Sequence, residues 1–253
     1  MDLDVLQLDW GRVTEVISGF ISGVVAGAGA RGIVVGLSGG VDSSVTAALA
    51  VRALGPERVL GAIMPDPRVT PEQDVEDARR LADSLGIETV EVDISGPVDA
   101  VCSAIPEFDP SAKVALGNVR ARIRMVVLYY LANSRDLLVA GTGDRSELLL
   151  GYFTKYGDGA VDMLPIGDLY KTQVRMLGER LGLPESIVRK PSAPRLWEGH
   201  TARSELGLDY ELIDLVLYCL FDLGLSPEEA AEEVGVGEDV VEAILRRHRE
   251  SAH

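Results

Sequence analysis

Nine consecutive residues, Gly36-Leu37-Ser38-Gly39-Gly40-Val41-Asp42-Ser43-Ser44, gather the groups needed to hold a phosphate. The glycines let backbone N–H groups approach an anion closely, and the serines add hydroxyl donors. The stretch follows Gly32-Ile33-Val34-Val35, a β-branched run that reads as a buried strand. It precedes Val45-Thr46-Ala47-Ala48-Leu49-Ala50-Val51, which reads as the opening turns of a packed helix. Such a helix start adds the positive end of its dipole to the same point. Asp42 has the wrong sign for a phosphate contact. A carboxylate there repels the anion unless a cation lies between them, so Asp42 reads as a Mg²⁺ ligand. A plain glycine turn with a capping serine is the competing reading, and it has no use for both Gly-Gly and an aspartate.

The loop has neither the lysine of Gly-x-x-x-x-Gly-Lys-Ser/Thr nor the Gly-x-Gly-x-x-Gly dinucleotide fingerprint. Ser38-Gly39-Gly40-Val41-Asp42-Ser43 instead resembles the Ser-Gly-Gly-x-Asp-Ser pyrophosphate loop of the ATP pyrophosphatase superfamily, whose members activate a substrate as its adenylate.

The surrounding periodicity supplies a frame for this loop. Apolar residues from Trp10 to Val25 recur at helical spacing behind Asp9, a candidate N-cap. Strands are expected at Val59–Met64, Thr89–Ile94 and Leu137–Ala140, and helices after Pro71, from about Pro97 to Ile105, and from Ser111 to Ser134. Alternating strands and helices call for a parallel sheet with helices on both faces, and ligands then bind at the carboxyl ends of the strands. The last strand delivers Gly141-Thr142-Gly143-Asp144-Arg145-Ser146-Glu147 to that edge. Gly151 to Asp162 then packs glycines, aromatics, Lys155, Asp158 and Asp162 into twelve residues, a density typical of functional loops. We expect one α/β unit over residues 1–253, with a core to about 190, a polar lid loop at 191–206 and a helical C-terminal appendage at 207–253.

The formal charge is −16, which argues against a long nucleic-acid footprint, since such binding draws on clustered Lys and Arg. No apolar run reaches membrane-spanning length and no secretory leader is evident, so a cytoplasmic protein is expected. Cys102 and Cys219 have no metal-site or redox spacing and read as buried thiols. Four lysines stand against twenty arginines, and Lys155, Lys171 and Lys190 fall in one stretch. That pattern fits sites wanting a compact ammonium, or chance. Arg120, Arg122 and Arg124 on the long helix read equally as ligand contacts or as surface ion pairs.

Taken together, the chain resembles the ammonia-dependent NAD synthetases over nearly its whole length. The resemblance rests on the phosphate loop, Gly117-Asn118-Val119-Arg120-Ala121-Arg122-Ile123-Arg124-Met125, Gly141-Thr142-Gly143 with Glu147, Gly151-Tyr152-Phe153-Thr154-Lys155-Tyr156-Gly157-Asp158-Gly159, and Leu164 to Val174. It implies an adenine-nucleotide alpha-hydrolase-like fold and adenylation of deamido-NAD by ATP, followed by amidation with ammonia. By that resemblance Gly36, Leu37, Ser38, Gly39, Gly40, Val41, Asp42 and Ser43 hold ATP phosphates. Thr142, Lys171 and Ser192 contact ATP, Lys171 as a mobile point charge. Asp42 and Glu147 ligate Mg²⁺. Arg122, Lys155, Asp162 and His253 hold deamido-NAD, and Asp158 takes a proton from ammonium. Asp144 and Ala160 stand where the family has asparagine and glycine, the latter harmless unless the position needs a positive φ. Members of that family commonly continue past the residue matching His253 with a short basic run that contacts deamido-NAD.

The thirty residues ahead of the first strand are too few for a fused amidase domain, so free ammonia or a separate donor is the expected nitrogen source. The family implies a homodimer. The apolar N-terminal helix and residues 125–131 serve such a surface or an internal core equally well. A tRNA-modifying or guanylate-amidating relative is disfavoured by the acidic charge and the 151–159 block. A nucleotide sensor of the universal-stress type has no use for Glu147, Asp158 and Lys171 together.

Overall fold

In the computed structural model, which describes residues 1–251, the carboxylate of Asp9 accepts from the Arg12 amide and starts helix α1 (Trp10–Gly27). Strand β1 (Gly32–Gly36), α2 (Val41–Leu54), β2 (Val59–Ile63), α3 (Glu72–Leu85) and β3 (Glu88–Glu91) follow. Helices α4 (Ser95–Ala104) and α5 (Lys113–Arg135) lead to β4 (Leu137–Ala140) and α6 (Arg145–Leu150). The rest is helical: α7 (Lys171–Arg180), α8 (Glu185–Val188), α9 (Ala202–Leu206), α10 (Tyr210–Phe221), α11 (Pro227–Val234) and α12 (Glu238–Glu250).

The strands pair in parallel in the order β3-β2-β1-β4. β1 is therefore flanked by β2 on one side and β4 on the other, and the loops leaving β1 and β4 open a crevice at their carboxyl ends. Alternation along β1 separates the two faces. Ile33 and Val35 join a core with α1, α2, α3 and α7, whereas Val34 packs with Leu60, Ala62 and Val139 against α4 and α5. A third apolar cluster unites Leu6, Leu150 and Tyr170 with α10, α11 and α12. The helical appendage is thus seated on α6 and the start of α7, beside the crevice.

Three boundaries differ from the sequence expectation. β3 ends at Glu91 rather than Ile94, because the Asp93 carboxylate accepts from the Ser95 amide at 2.8 Å and turns the chain into α4. Residues Arg145–Leu150 form a helix, α6, that the sequence reading does not give. Asp144 accepts from the Glu147 amide and Glu147 reaches back to the Asp144 amide, a reciprocal cap. The expected lid loop closes with α9, where Thr201 caps the Ser204 amide.

Candidate functional site

The phosphate loop turns at Gly39, whose φ is +72° and whose added Cβ would lie 2.2 Å from the Asp74 carbonyl oxygen. Only glycine fits there. Lys190 fixes the same residue by donating to the Gly39 carbonyl at 2.8 Å while pairing with Asp74 at 3.0 Å and Asp77 at 2.5 Å. Ser43 Oγ donates to the Gly40 carbonyl at 3.1 Å and lies 3.1 Å from Ser38 Oγ. Gly39 and Ser43 therefore brace the loop from behind. Gly36, Leu37, Ser38, Gly40, Val41 and Asp42 line a cavity of about 500 Å³. No described side chain caps the Gly40 end of α2, which leaves first-turn amides available to an anion.

At the floor of this cavity Lys171 Nζ meets three carboxylates, Asp42 at 2.7 Å, Asp144 at 2.8 Å and Glu147 at 2.9 Å. The Lys171 side chain is fully buried. Burial opposes its charge, but Asp144, Asp42 and Glu147 outweigh burial and hold its pKa well above the ordinary lysine value. Burial also pushes Glu147 and Asp144 upward, with Asp42 adding repulsion and Lys171 pulling the other way. Three converging carboxylates favour a cation at this point, and Lys171 supplies it. Asp144, expected to be a mild replacement, is one of the three.

A fully buried carboxylate from the appendage sets the two helix starts that carry Glu147 and Lys171. Asp214 accepts from Ser146 Oγ at 2.5 Å and from the Thr172 amide at 2.7 Å, while Ser146 Oγ accepts from the Lys171 amide at 2.9 Å. Burial pushes Asp214 up to about 7 against those bonds. One turn earlier on α10, the Tyr210 ring lies 5.3 Å from Lys171 Nζ, and its buried hydroxyl has no hydrogen-bond partner among the described residues. Sequence reasoning missed Asp214 and Tyr210. The Asp-x-x-Glu spacing at 144–147 could have revealed α6 as a helix start, but nothing local marks a residue that acts sixty-eight positions away.

Asp158, Thr142 and Ser192 also line the cavity. Asp158 accepts from the Thr154 amide at 2.9 Å, and burial raises its pKa against that bond. Ala160 has no positive φ, so the missing glycine costs no strain. Residues 191–197 form part of the cavity wall and are tied down by Arg120 Nη1 to the Leu196 carbonyl at 2.8 Å and Arg195 Nε to Asp74 at 3.0 Å. Arg122, Lys155 and Asp162 are not in that wall. Arg122 donates to the Lys155 carbonyl at 3.1 Å, which brings those two together on the exposed side of α5. Asp162 faces that helix about two turns further on, accepting from Tyr129 Oη at 3.1 Å and from the Val139 amide at 2.7 Å. His253 lies outside the described residues.

The donors at Asp42 and Glu147 are hard oxygens, and Asp42 Oδ1 is buried with no hydrogen-bond partner among the described residues. That chemistry fits Mg²⁺. No set of three His, Cys, Asp or Glu among the described residues is arranged to hold a metal unaided. An ion here would need substrate phosphates to complete its coordination, the usual habit of Mg²⁺. No helix among the described residues is long and apolar enough to cross a membrane.

Comparison with known proteins gives a consistent answer. The NAD synthase family model matches residues 13–253. An NH3-dependent NAD+ synthetase of Hyperthermus butylicus is 57% identical over 251 residues, covering 99% of this chain and 90% of the relative. The solved NMN synthetase from Francisella tularensis superposes with a TM-score of 0.85 at 34% identity, covering 98% of this chain and 96% of its own. The NH3-dependent NAD synthetase from Campylobacter jejuni gives 0.80 at 32% identity, covering 97% and 96%. With a parallel sheet whose switch-point crevice carries the Ser-Gly-Gly-x-Asp-Ser loop, and a family model matched from residue 13 onward, this chain belongs to the NAD synthase family.

Proposed function

We propose that the chain amidates deamido-NAD with ammonia at the expense of ATP, releasing AMP and pyrophosphate, and that the cavity described above is where both steps occur. The observation that carries the reading is the meeting of Asp42, Glu147 and Lys171 within 2.9 Å beneath the phosphate loop, in a cavity that Asp158 also lines.

A carboxylate is a poor electrophile. Its oxygen must first attack the α-phosphorus of ATP as the bond to the β-phosphate oxygen breaks, giving an acyl-adenylate and pyrophosphate. The amides of the phosphate loop and the α2 start orient the phosphates, and Lys171 supplies positive charge where the leaving group gains negative charge. Asp42 and Glu147 would hold Mg²⁺, which supplies further neutralisation of that charge. Ammonia then attacks the acyl carbon, AMP departs, and Asp158 takes up the proton lost by nitrogen. Burial raises Asp158, which moves a carboxylate toward a useful basicity for this task. Thr142 and Ser192 would contact ATP. Arg122, Lys155 and Asp162 would hold the remainder of deamido-NAD outside the cavity proper, with His253 assigned there by resemblance alone.

The placement of Arg122 and Lys155 supports a homodimer. They lie beside the exposed apolar residues Val126 and Tyr130 of α5, and Tyr130 retains 71% exposure. A second copy packed on that face would complete the substrate site. We read the whole chain as one functional unit working in the cytoplasm.

The test is pyrophosphate release from MgATP with deamido-NAD present or absent, and with ammonium added or withheld. Release that requires deamido-NAD, followed by NAD formation only with ammonium, is expected. Nicotinate mononucleotide should be run in parallel, because the Francisella relative is an NMN synthetase. ATP binding with no pyrophosphate release under any acceptor would return the chain to the nucleotide-sensor reading.

A further inference from the structure

Three arginines follow one another at alternate positions on α5, and the structure gives them three different environments. Arg120 donates from Nε to Asp66 at 2.7 Å and from Nη1 to the Leu196 carbonyl at 2.8 Å. Arg122, about 200° round the helix, is exposed and bonds the Lys155 carbonyl. Arg124, one turn from Arg120, faces inward and lines the cavity with Met64, Asn118 and Asp158. Its one hydrogen bond among the described residues runs from Nε to the Met64 carbonyl at 3.0 Å.

Among the described residues the guanidinium of Arg124 therefore has no counterion. Asp66 is already saturated, with Oδ1 taking Arg68 Nε at 2.7 Å and Oδ2 taking Arg68 Nη2 at 3.0 Å and Arg120 at 2.7 Å. No described carboxylate lies within ion-pair distance of Arg124, and burial pulls its pKa down to about 10. A half-buried charge facing a cavity without a partner among the described residues is costly, and a chain with forty acidic residues has had ample means to supply one. The forked Nη groups, which serve no internal bond, suit a planar bidentate anion arriving from the cavity. Arg124 and Asp158 feel each other's charge, which places this receptor at the proton-accepting end. Lys171 and the phosphate loop already serve the pyrophosphate end.

We propose that Arg124 grips the anionic oxygens of the acid substrate at the reacting centre, first the carboxylate and then the acyl phosphate made from it. The inference rests on the amidation reading. With the grip in place, the carboxylate is aimed at the α-phosphorus, and its repulsion from ATP is offset.

The experiment uses full-length Arg124→Met, Arg124→Lys and Arg124→Ala beside wild type. Arg124→Met should melt within a few degrees of wild type, since it exchanges a half-buried charge with no ion-pair partner among the described residues for an apolar side chain of similar length. It should retain the ATP-induced rise in melting temperature. Single-turnover pyrophosphate release with deamido-NAD should fall roughly 10²-fold or more, the scale found when one preorganised donor to a developing anion is lost. Arg124→Lys should recover part of that loss, and millimolar guanidinium should partly restore Arg124→Ala. Release within threefold of wild type would overturn the inference. So would a collapse in melting temperature together with loss of the ATP-induced rise, the mark of a purely structural tie to Met64. A wild type that releases no pyrophosphate with deamido-NAD would sink the amidation reading, and this inference with it.

Discussion

Replacing Lys171 by methionine removes the one cation at the centre of Asp42, Asp144 and Glu147 while leaving a side chain of similar length. Breaking a buried ion pair from one side typically costs about 3–5 kcal/mol, because the abandoned charge remains in the interior. Asp144 is fully enclosed, but the Asp42 and Glu147 side chains keep 23% and 21% exposure, so water can screen them in part. That places the expected loss near the lower end, about 3 kcal/mol. For a chain of this size it corresponds to a melting temperature lower by roughly 6–12 °C. Urea unfolding in EDTA at pH 7.5 measures the loss directly. Adding Mg²⁺ should recover part of it in Lys171→Met, because a divalent cation can then occupy the vacated point among the oxygens. Wild type, with its own ammonium in place, should gain little from Mg²⁺ without ATP. A variant as stable as wild type in EDTA would show that the four charges do not depend on one another. A loss that Mg²⁺ leaves unchanged would show that a divalent ion does not take the place of the ammonium among these carboxylates.

Other expectations follow from single residues. Gly39→Ala forces a Cβ to within 2.2 Å of the Asp74 carbonyl at a φ of +72°, so it should cost at least about 2 kcal/mol and abolish ATP-induced stabilisation; a normal thermal shift with ATP would refute the loop geometry. Asp158→Asn should preserve adenylate formation and block amidation, and equal loss of both steps in single-turnover assays would count against Asp158 as the proton acceptor. Asp214, raised to about 7, binds its proton more tightly folded than unfolded. Its contribution to stability is therefore fully present below the unfolded carboxylate pKa and is lost as pH climbs toward 7, by up to about 4 kcal/mol. The wild-type stability measured against Asp214→Asn should fall over that pH range; a constant difference would mean that Asp214 does not titrate there.

Much of this protein was readable from local chemistry. The strand at Gly32–Gly36, the helix behind it and the loop between them needed only residue type and short spacing, because hydrophobic period and glycine freedom act over a few residues. Asp42 as the odd charge in a phosphate loop was legible for the same reason. The Asp144 cap is legible too, from the Asp-x-x-Glu spacing alone. Other features required the chain to be folded. The meeting of Lys171 with Asp42 joins positions far apart in sequence, and it exists because β1 and β4 are neighbours and α7 packs on α2. Asp214 serves the site only because the appendage buries its apolar face on α6 and α7. The different fates of Arg120, Arg122 and Arg124 are likewise invisible in a basic stretch of helix. Which arginine finds a carboxylate, which faces outward and which faces the cavity depends on what the sheet and the 191–197 segment place opposite each one. Charge type is written residue by residue, whereas charge pairing is a property of distance, and distances between remote segments are set by the packing of the whole chain.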